Sequence, residues 1–250
     1  MRFLLTPRWL GFLLAVAVMA GVCVWLGEWQ WGKREDRRVE NALIREHLSA
    51  APVPLDEVVP AGETVPDDAE WTQVRAEGRY DVASQLTVKF ATRDGAPGAD
   101  VVTPLLLDDG TALLVDRGWL ATDNTGRAPD DVPEPPAGRV EVEGWLRVDN
   151  QAGPEAVVPA EGQVRAISSE GLADSVPYPL RSGFLDLREQ TGGTDGLRLE
   201  PVPDLGGGPH FFYGLQWWFF GGLAVLGFVW FARLEAKDRR EAQASETSSA

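Results

Sequence analysis

Few side chains in this 250-residue chain can do metal or nucleophilic chemistry: two histidines, His47 and His210, and one cysteine, Cys23. There is no P-loop, no G-x-S-x-G, no H-E-x-x-H and no Cys/His cluster. A Ser-His-Asp triad would need one of the two histidines, and the stretch between Leu48 and Pro209 supplies neither. Enzymatic chemistry is therefore poorly supported. His210 is the side chain to weigh. If a helix begins there, His210, Tyr213, Gly214 and Trp217 fall at i, i+3, i+4 and i+7 and share a face. One reading is an imidazole ligand to a flat, apolar group such as haem. Gly214 would leave room beside the backbone, and Tyr213 and Trp217 would offer ring surfaces. The other is an interfacial histidine in an aromatic belt, helping to cap a helix after Gly206-Gly207-Gly208-Pro209.

The remaining candidates carry similar alternatives. His47 reads as an exposed residue near a helix C-terminus, where its charge suits the dipole. Trp25, Trp29 and Trp31 flank one apolar run and Trp217, Trp218 and Trp230 bracket another, which makes them interfacial anchors or walls of a shared pocket. Arg117, in Asp116-Arg117-Gly118-Trp119, is either paired at a turn or aimed at an anionic group such as a ligand carboxylate. Arg93 carries the same ambiguity. Cys23 reads as a small apolar residue within a span. Standing alone, it allows neither an internal disulfide nor a Cys-based metal site.

The elements that must hold these residues begin with two apolar runs. Trp9 to Gly27 and Phe211 to Ala232 contain no charge, and each is long enough for a helix to cross a bilayer core of about 30 Å. The first lacks an A-x-A-like exit and reads as an uncleaved anchor rather than a signal peptide. The small residues Gly11 and Ala15, Ala17 and Gly21, and later Gly214, Gly221, Gly222 and Gly227, would let the two spans touch. Gln216, polar within the second run, needs a partner such as Gln30 or a backbone carbonyl.

Between the runs, Glu28 to Pro209 holds 17 Arg and Lys against 34 Asp and Glu. So acidic a surface repels phosphate backbones and argues against nucleic-acid binding. The basic residues Arg233, Lys237, Arg239 and Arg240 place the C-terminal tail in the cytoplasm. Lys33, Arg34, Arg37 and Arg38, after the first run, pull the other way. Long acidic domains translocate largely regardless of nearby charge, so the second run is weighted more heavily. Both termini are then cytoplasmic and the domain between is extracytoplasmic.

The chain divides into an arm (1–8), a first span (9–27), a helical continuation and linker (28–69), a β domain (70–209), a second span (210–232) and a tail (233–250) read as disordered. Strand patterns occur at 74–80, 85–90, 101–107, 111–120, 140–148, 163–167, 184–187 and 197–202. Asp108-Asp109-Gly110 marks a hairpin turn. The expected fold is two transmembrane α-helices flanking a mainly antiparallel β domain, a barrel or a sandwich.

Taken in order, several segments resemble the Surf1 family of cytochrome c oxidase assembly factors. They are Leu26-Gly27-Glu28-Trp29-Gln30 with Lys33 and Arg34, then Gly78-Arg79-Tyr80, Arg93 through Pro104, Leu114 to Leu120, Val140 to Arg147, and His210 to Trp217. The resemblance implies a non-enzymatic role in building haem–copper oxidases of the respiratory chain, with the β domain outside the cytoplasm of a multi-pass cell-membrane protein. It also implies transient binding of haem a, passed to oxidase subunit I in concert with the haem a synthesis machinery. By the family pattern His210 would be the iron ligand, Trp29, Tyr213 and Trp217 would wall the porphyrin, and Arg117 would meet a propionate. Phe211, Gly214 and Gln216 depart from the residues more common in the family, while the His-x-x-Tyr-x-x-x-Trp frame is kept. A haem-independent chaperone that stabilises an oxidase intermediate is the alternative.

Overall fold

The computed structural model describes residues 2–248 except 124, 126, 127, 130 and 195. It forms two compact units, Met1–Ala42 with Asp204–Ala250, and Leu43–Pro203. Helix α1 (Pro7–Ser49) carries the first apolar run and its charged continuation without a break. No proline or capping signal interrupts it until the Ala51-Pro52 step. The second long helix, α5 (His210–Ser248), starts at His210 and continues through the stretch read as a disordered tail; residues 249 and 250 lie outside the described residues. Both helices hold stretches long and apolar enough to cross a membrane.

Unit Leu43–Pro203 is built on strands β2 (Gln73–Tyr80), β3 (Leu86–Arg93), β4 (Ala96–Leu107), β5 (Ala112–Ala121), β6 (Val140–Arg147) and β8 (Leu180–Gln190). Short pieces complete it: β1 (Val53–Pro54), α2 (Leu55–Val58), α3 (Pro154–Val157), β7 (Gln163–Val164) and α4 (Ser169–Leu172). The pairings β2–β6, β6–β8, β8–β5, β5–β4 and β4–β2 close a five-stranded barrel. All are antiparallel except β5 with β8. Taking only these five strands, the circuit runs 1-2-3-5-4-1 with its parallel pair between the third and fifth, the order of the Greek-key OB barrel. Strand β3 adds to β4 outside the circuit, and β7 adds to β3.

Closure falls at Gly78, which pairs with Val140 of β6 and with Leu107 of β4. A Cβ there would lie 2.3 Å from the Leu106 carbonyl oxygen, so only glycine lets β2 turn from one neighbour to the other. The core holds Val74, Leu105, Leu113, Val115, Val142, Leu146, Leu185 and Leu187. Each such side chain contributes about 1.5–3 kcal/mol by leaving water. Leu114 points the other way, into a second cluster with Leu86, Val88, Ile167 and Phe184, so β5 is buried on both faces.

Two expectations change here. Residues 49–69, read as a surface linker, deliver Leu55, Val59 and Val65 to the core, because spaced single apolar residues among prolines carry no periodic signature. Residues 197–202 form no strand; only an isolated bridge, Trp119 with Arg198, holds them to β5.

Candidate functional site

The unit formed by residues 1–42 and 204–250 is a helical hairpin. Along α1 a line of residues turned from solvent, Val16, Ala20, Cys23, Gly27, Gln30, Arg34, Arg37 and Asn41, is spaced alternately by four and three, with Leu26 beside it. Along α5 a matching line runs His210, Gly214, Trp217, Gly221, Ala224 and Phe228 with the same alternation, flanked by Phe211 and Gly227. Such a 3-4 repeat is the seam of a left-handed pair. Gly221 meets Cys23, its would-be Cβ lying 3.1 Å from the cysteine Cβ. Trp9 and Phe12 pack on Phe228. Gly11 and Gly21 have open space around them, and Ala15 and Ala17 are exposed, so these are not the small residues that let the helices meet.

His210 lies on this seam. Its Nδ1 is 2.8 Å from Gln30 Oε1. A carbonyl oxygen only accepts, so Nδ1 carries the proton and Nε2 keeps a lone pair. On the Nε2 side, Gly208 approaches the ring, where a Cβ would sit 3.3 Å from Cδ2 and 3.6 Å from Nε2. The preceding loop is held by Asn41, which donates to the carbonyls of Leu205 and Gly206, and by Arg37, which donates to that of Asp204. Around the pair, Trp218 covers Gly27 and stacks on Trp31 at 5.8 Å between centroids. The Arg34 guanidinium lies 4.9 Å from Trp31 and 5.1 Å from Phe211.

Of the residues singled out in the sequence, His210 and Trp217 share the seam, Trp217 against Phe220. Trp29 and Tyr213 are about half exposed, and among the described residues no ring contact joins them to Trp217. Gln216 faces outward, so the partner of Gln30 is His210. Sequence reading named Trp31 and Trp218 as anchors or pocket walls, but passed over Gln30 as a histidine partner and Arg34 as its neighbour. The 3-4 spacing of small and polar residues in α1 was the signal that would have found them.

Arg117 belongs to the β domain and is 1 % exposed. Its Nη1 donates to Gln85 Oε1 and to the Pro133 carbonyl, each at 2.9 Å, and its guanidinium lies over Tyr80. These contacts fix the Arg117 side chain within the β domain. Arg93 is similarly committed, to Asp100, Glu200 and the carbonyls of Arg198 and Leu199. His47 is half-buried, and its Nδ1 donates to the Glu70 carbonyl at 2.8 Å.

Beside Arg117 the barrel buries Asp116 and Asp186, register partners on β5 and β8. Burial pushes the Asp116 carboxyl well above the usual carboxylate range, and the charges of Asp100 and Asp186 add to this. Burial also raises Asp186 and Asp100, each to about 6, against the pull of Arg147 and Arg93 respectively. Among the described residues no group of three or more His, Cys, Asp or Glu is arranged to hold a metal ion.

Residues 17–222 match the model of the SURF1 family. SURF1-like proteins of Mycobacterium bovis and Mycobacterium tuberculosis are 33% identical to the chain over 249 residues, covering 98% of it and 90% of each relative. With the ordered motifs, a match over most of the chain and this near end-to-end similarity, the protein belongs to the SURF1 family.

Proposed function

We propose that this protein is an integral membrane assembly factor for haem–copper cytochrome c oxidase that holds haem a through His210 and aids its insertion into subunit I. Family membership supplies the oxidase context. The observation that carries the haem reading is the His210–Gln30 pair, a half-buried imidazole oriented by a polar neighbour at the start of a span-forming helix. The donor set fits a haem held by one histidine, because Gln30 takes the Nδ1–H bond and leaves the Nε2 lone pair to the iron. Bound haem would supply a redox-active iron and a flat apolar ring.

Each residue then has a defined task. Gln30 orients the imidazole by accepting a hydrogen bond from its Nδ1–H. Tyr213 and Trp29, exposed near this end of the hairpin, offer ring surface to the porphyrin. Arg34, held against Trp31 and Phe211, is better placed than Arg117 to meet a propionate. One protein ligand suits a carrier that must release its load. No side chain in this arrangement is asked to make or break a covalent bond, in keeping with a non-enzymatic role. The protein would work as a multi-pass cell-membrane protein with its β domain extracytoplasmic, beside the haem a synthesis machinery.

The test is the reduced optical spectrum of detergent-purified protein, co-produced with haem a biosynthesis enzymes. Wild type should show a haem a band, and His210→Ala should lose it while keeping its far-ultraviolet circular dichroism. Gln30→Met should weaken haem retention by about 10-fold or more, the usual effect of deleting a residue that orients a metal-bound histidine. Equal bands in wild type and His210→Ala would move the ligand elsewhere. No haem in either, with oxidase assembly still dependent on the protein, would leave the pair as a structural lock and favour a haem-independent chaperone.

A further inference from the structure

Phe90 in the β domain is hard to account for as a structural residue. Its φ is +68°, a left-handed conformation that a bulky side chain rarely adopts. The residue is 55 % exposed. It sits at the register shift of β3, between Lys89 and Ala91, where the strand has just lost its outer neighbour, since β7 pairs only with Thr87 and Val88. A bulge there protects an open edge from pairing with other strands. Glycine or asparagine would form that bulge with less strain and without exposing an aromatic ring. Strain and exposure kept together at one residue point to a use for the ring.

Its neighbours indicate which use. Lys89 Nζ lies 5.6 Å from the ring centroid, and the Arg165 guanidinium 5.7 Å from it. Neither cation is in an ion pair with any described residue, although the segment between the spans carries twice as many acids as bases. Five other arginines of the domain, Arg93, Arg139, Arg147, Arg181 and Arg198, are paired with carboxylates. Arg75, Arg79 and Arg188 have no ion pair among the described residues, but they stand beside no exposed ring in a left-handed conformation. An apolar ring beside two unpaired cations matches the boundary of a lipid bilayer, where rings enter the headgroup layer and cations meet phosphates. The domain lies between two span-forming segments of the chain and is tethered to a membrane through both.

We propose that Phe90, flanked by Lys89 and Arg165, is a membrane-docking tip that inserts into the headgroup layer of an anionic bilayer. The rest of the acidic domain is repelled by such a surface, so this contact selects one orientation of the barrel on the membrane.

The test uses the full-length chain with Cys23→Ala and a nitroxide attached at Thr92→Cys, an exposed position on the same strand that leaves Phe90 intact. In nanodiscs of phosphatidylglycerol and phosphatidylcholine, collision with oxygen should exceed collision with a water-soluble nickel complex several-fold. Phe90→Asp, and separately Lys89→Glu with Arg165→Glu, should return the label to aqueous values with unchanged circular dichroism. A companion Phe90→Gly should also lose the lipid contact yet raise the melting temperature, by about 2–4 °C if the relieved strain is worth ~1 kcal/mol. Aqueous values for the parent label would overturn the proposal, as would lipid exposure that survives both sets of variants. A fall in melting temperature for Phe90→Gly would make the ring a packing residue, and shielding that appears only with added membrane proteins would assign the tip to a protein partner.

Discussion

Asp116 shows how a single buried carboxyl can govern the pH response of the domain. Its Oδ1 accepts the Gly118 N–H at 2.9 Å, and Asp186 lies beside it on the paired strand. A carboxyl whose folded pKa is raised binds its proton more tightly when folded than when unfolded. That contribution is complete below the unfolded value of about 4 and is lost as pH rises through the folded value. With Asp100 and Asp186 at about 6 and Asp116 well above the usual range, stability should decline from about pH 4 upward through neutrality. Asp81 acts in the opposite sense. Its pKa is lowered chiefly by the Ser84 hydroxyl, so its contribution is present above the unfolded value and lost as pH falls through the folded one. Melting temperature should therefore peak near pH ~4. Asp116→Asn keeps the acceptor for Gly118 and removes the ionisation. It should raise stability at pH 7.5 by about 1–3 kcal/mol and flatten the decline. Equal destabilisation at pH 4.5 and pH 7.5 would instead mean that a protonated Asp116 donates a hydrogen bond the barrel needs.

The element that matters most for the proposed site is the helical hairpin, whose closeness depends on glycine. At Gly27 a Cβ would lie 2.1 Å from the Trp218 indole nitrogen, whereas at Gly214 the nearest atoms are 3.6 and 3.7 Å away. These distances predict opposite outcomes for two similar substitutions. Gly221→Cys places a second thiol opposite Cys23, and mild oxidation should link the helices by a disulfide visible as a gel shift. In that background Gly27→Val should lower the yield several-fold, because the displaced Trp218 costs about 1–3 kcal/mol of overpacking. Gly214→Ala should leave the yield unchanged. Equal yields in both would show that the indole moves aside freely. His210 and Gln30 occupy the same seam, so Gly27→Val should also weaken their hydrogen bond.

For the molecule as a whole, the proposed function requires the β domain and the two chain ends on opposite sides of a membrane. In cells carrying Cys23→Ala, a cysteine introduced at exposed Glu63 should react with a membrane-impermeant maleimide from outside. A cysteine introduced at exposed Ala244 should react only after permeabilisation. The reverse pattern would invert the topology and place the acidic domain in the cytoplasm. The barrel itself lends no support to nucleic-acid binding despite its OB-like strand order, because fold does not fix function and the charge between the spans is strongly negative.

Sequence alone determined what repeats locally. Two charge-free runs announced the long helices, and alternation with turn residues announced β2 to β6, whose bounds fall within a few residues of the expected strands. His210 stood out by its type and its place at the start of an apolar run. What depends on distant neighbours was decided by the tertiary structure. Gly78 closes a barrel rather than a sandwich because two strands meet at one residue. Residues 49–69 enter the core because the barrel offers Leu55, Val59 and Val65 a cavity that no local pattern encodes. Gln30 reaches His210 across 180 positions of sequence, and Arg117 is buried by Gln85 and Pro133. Pairing across such separations is set by packing, which a one-dimensional pattern does not carry.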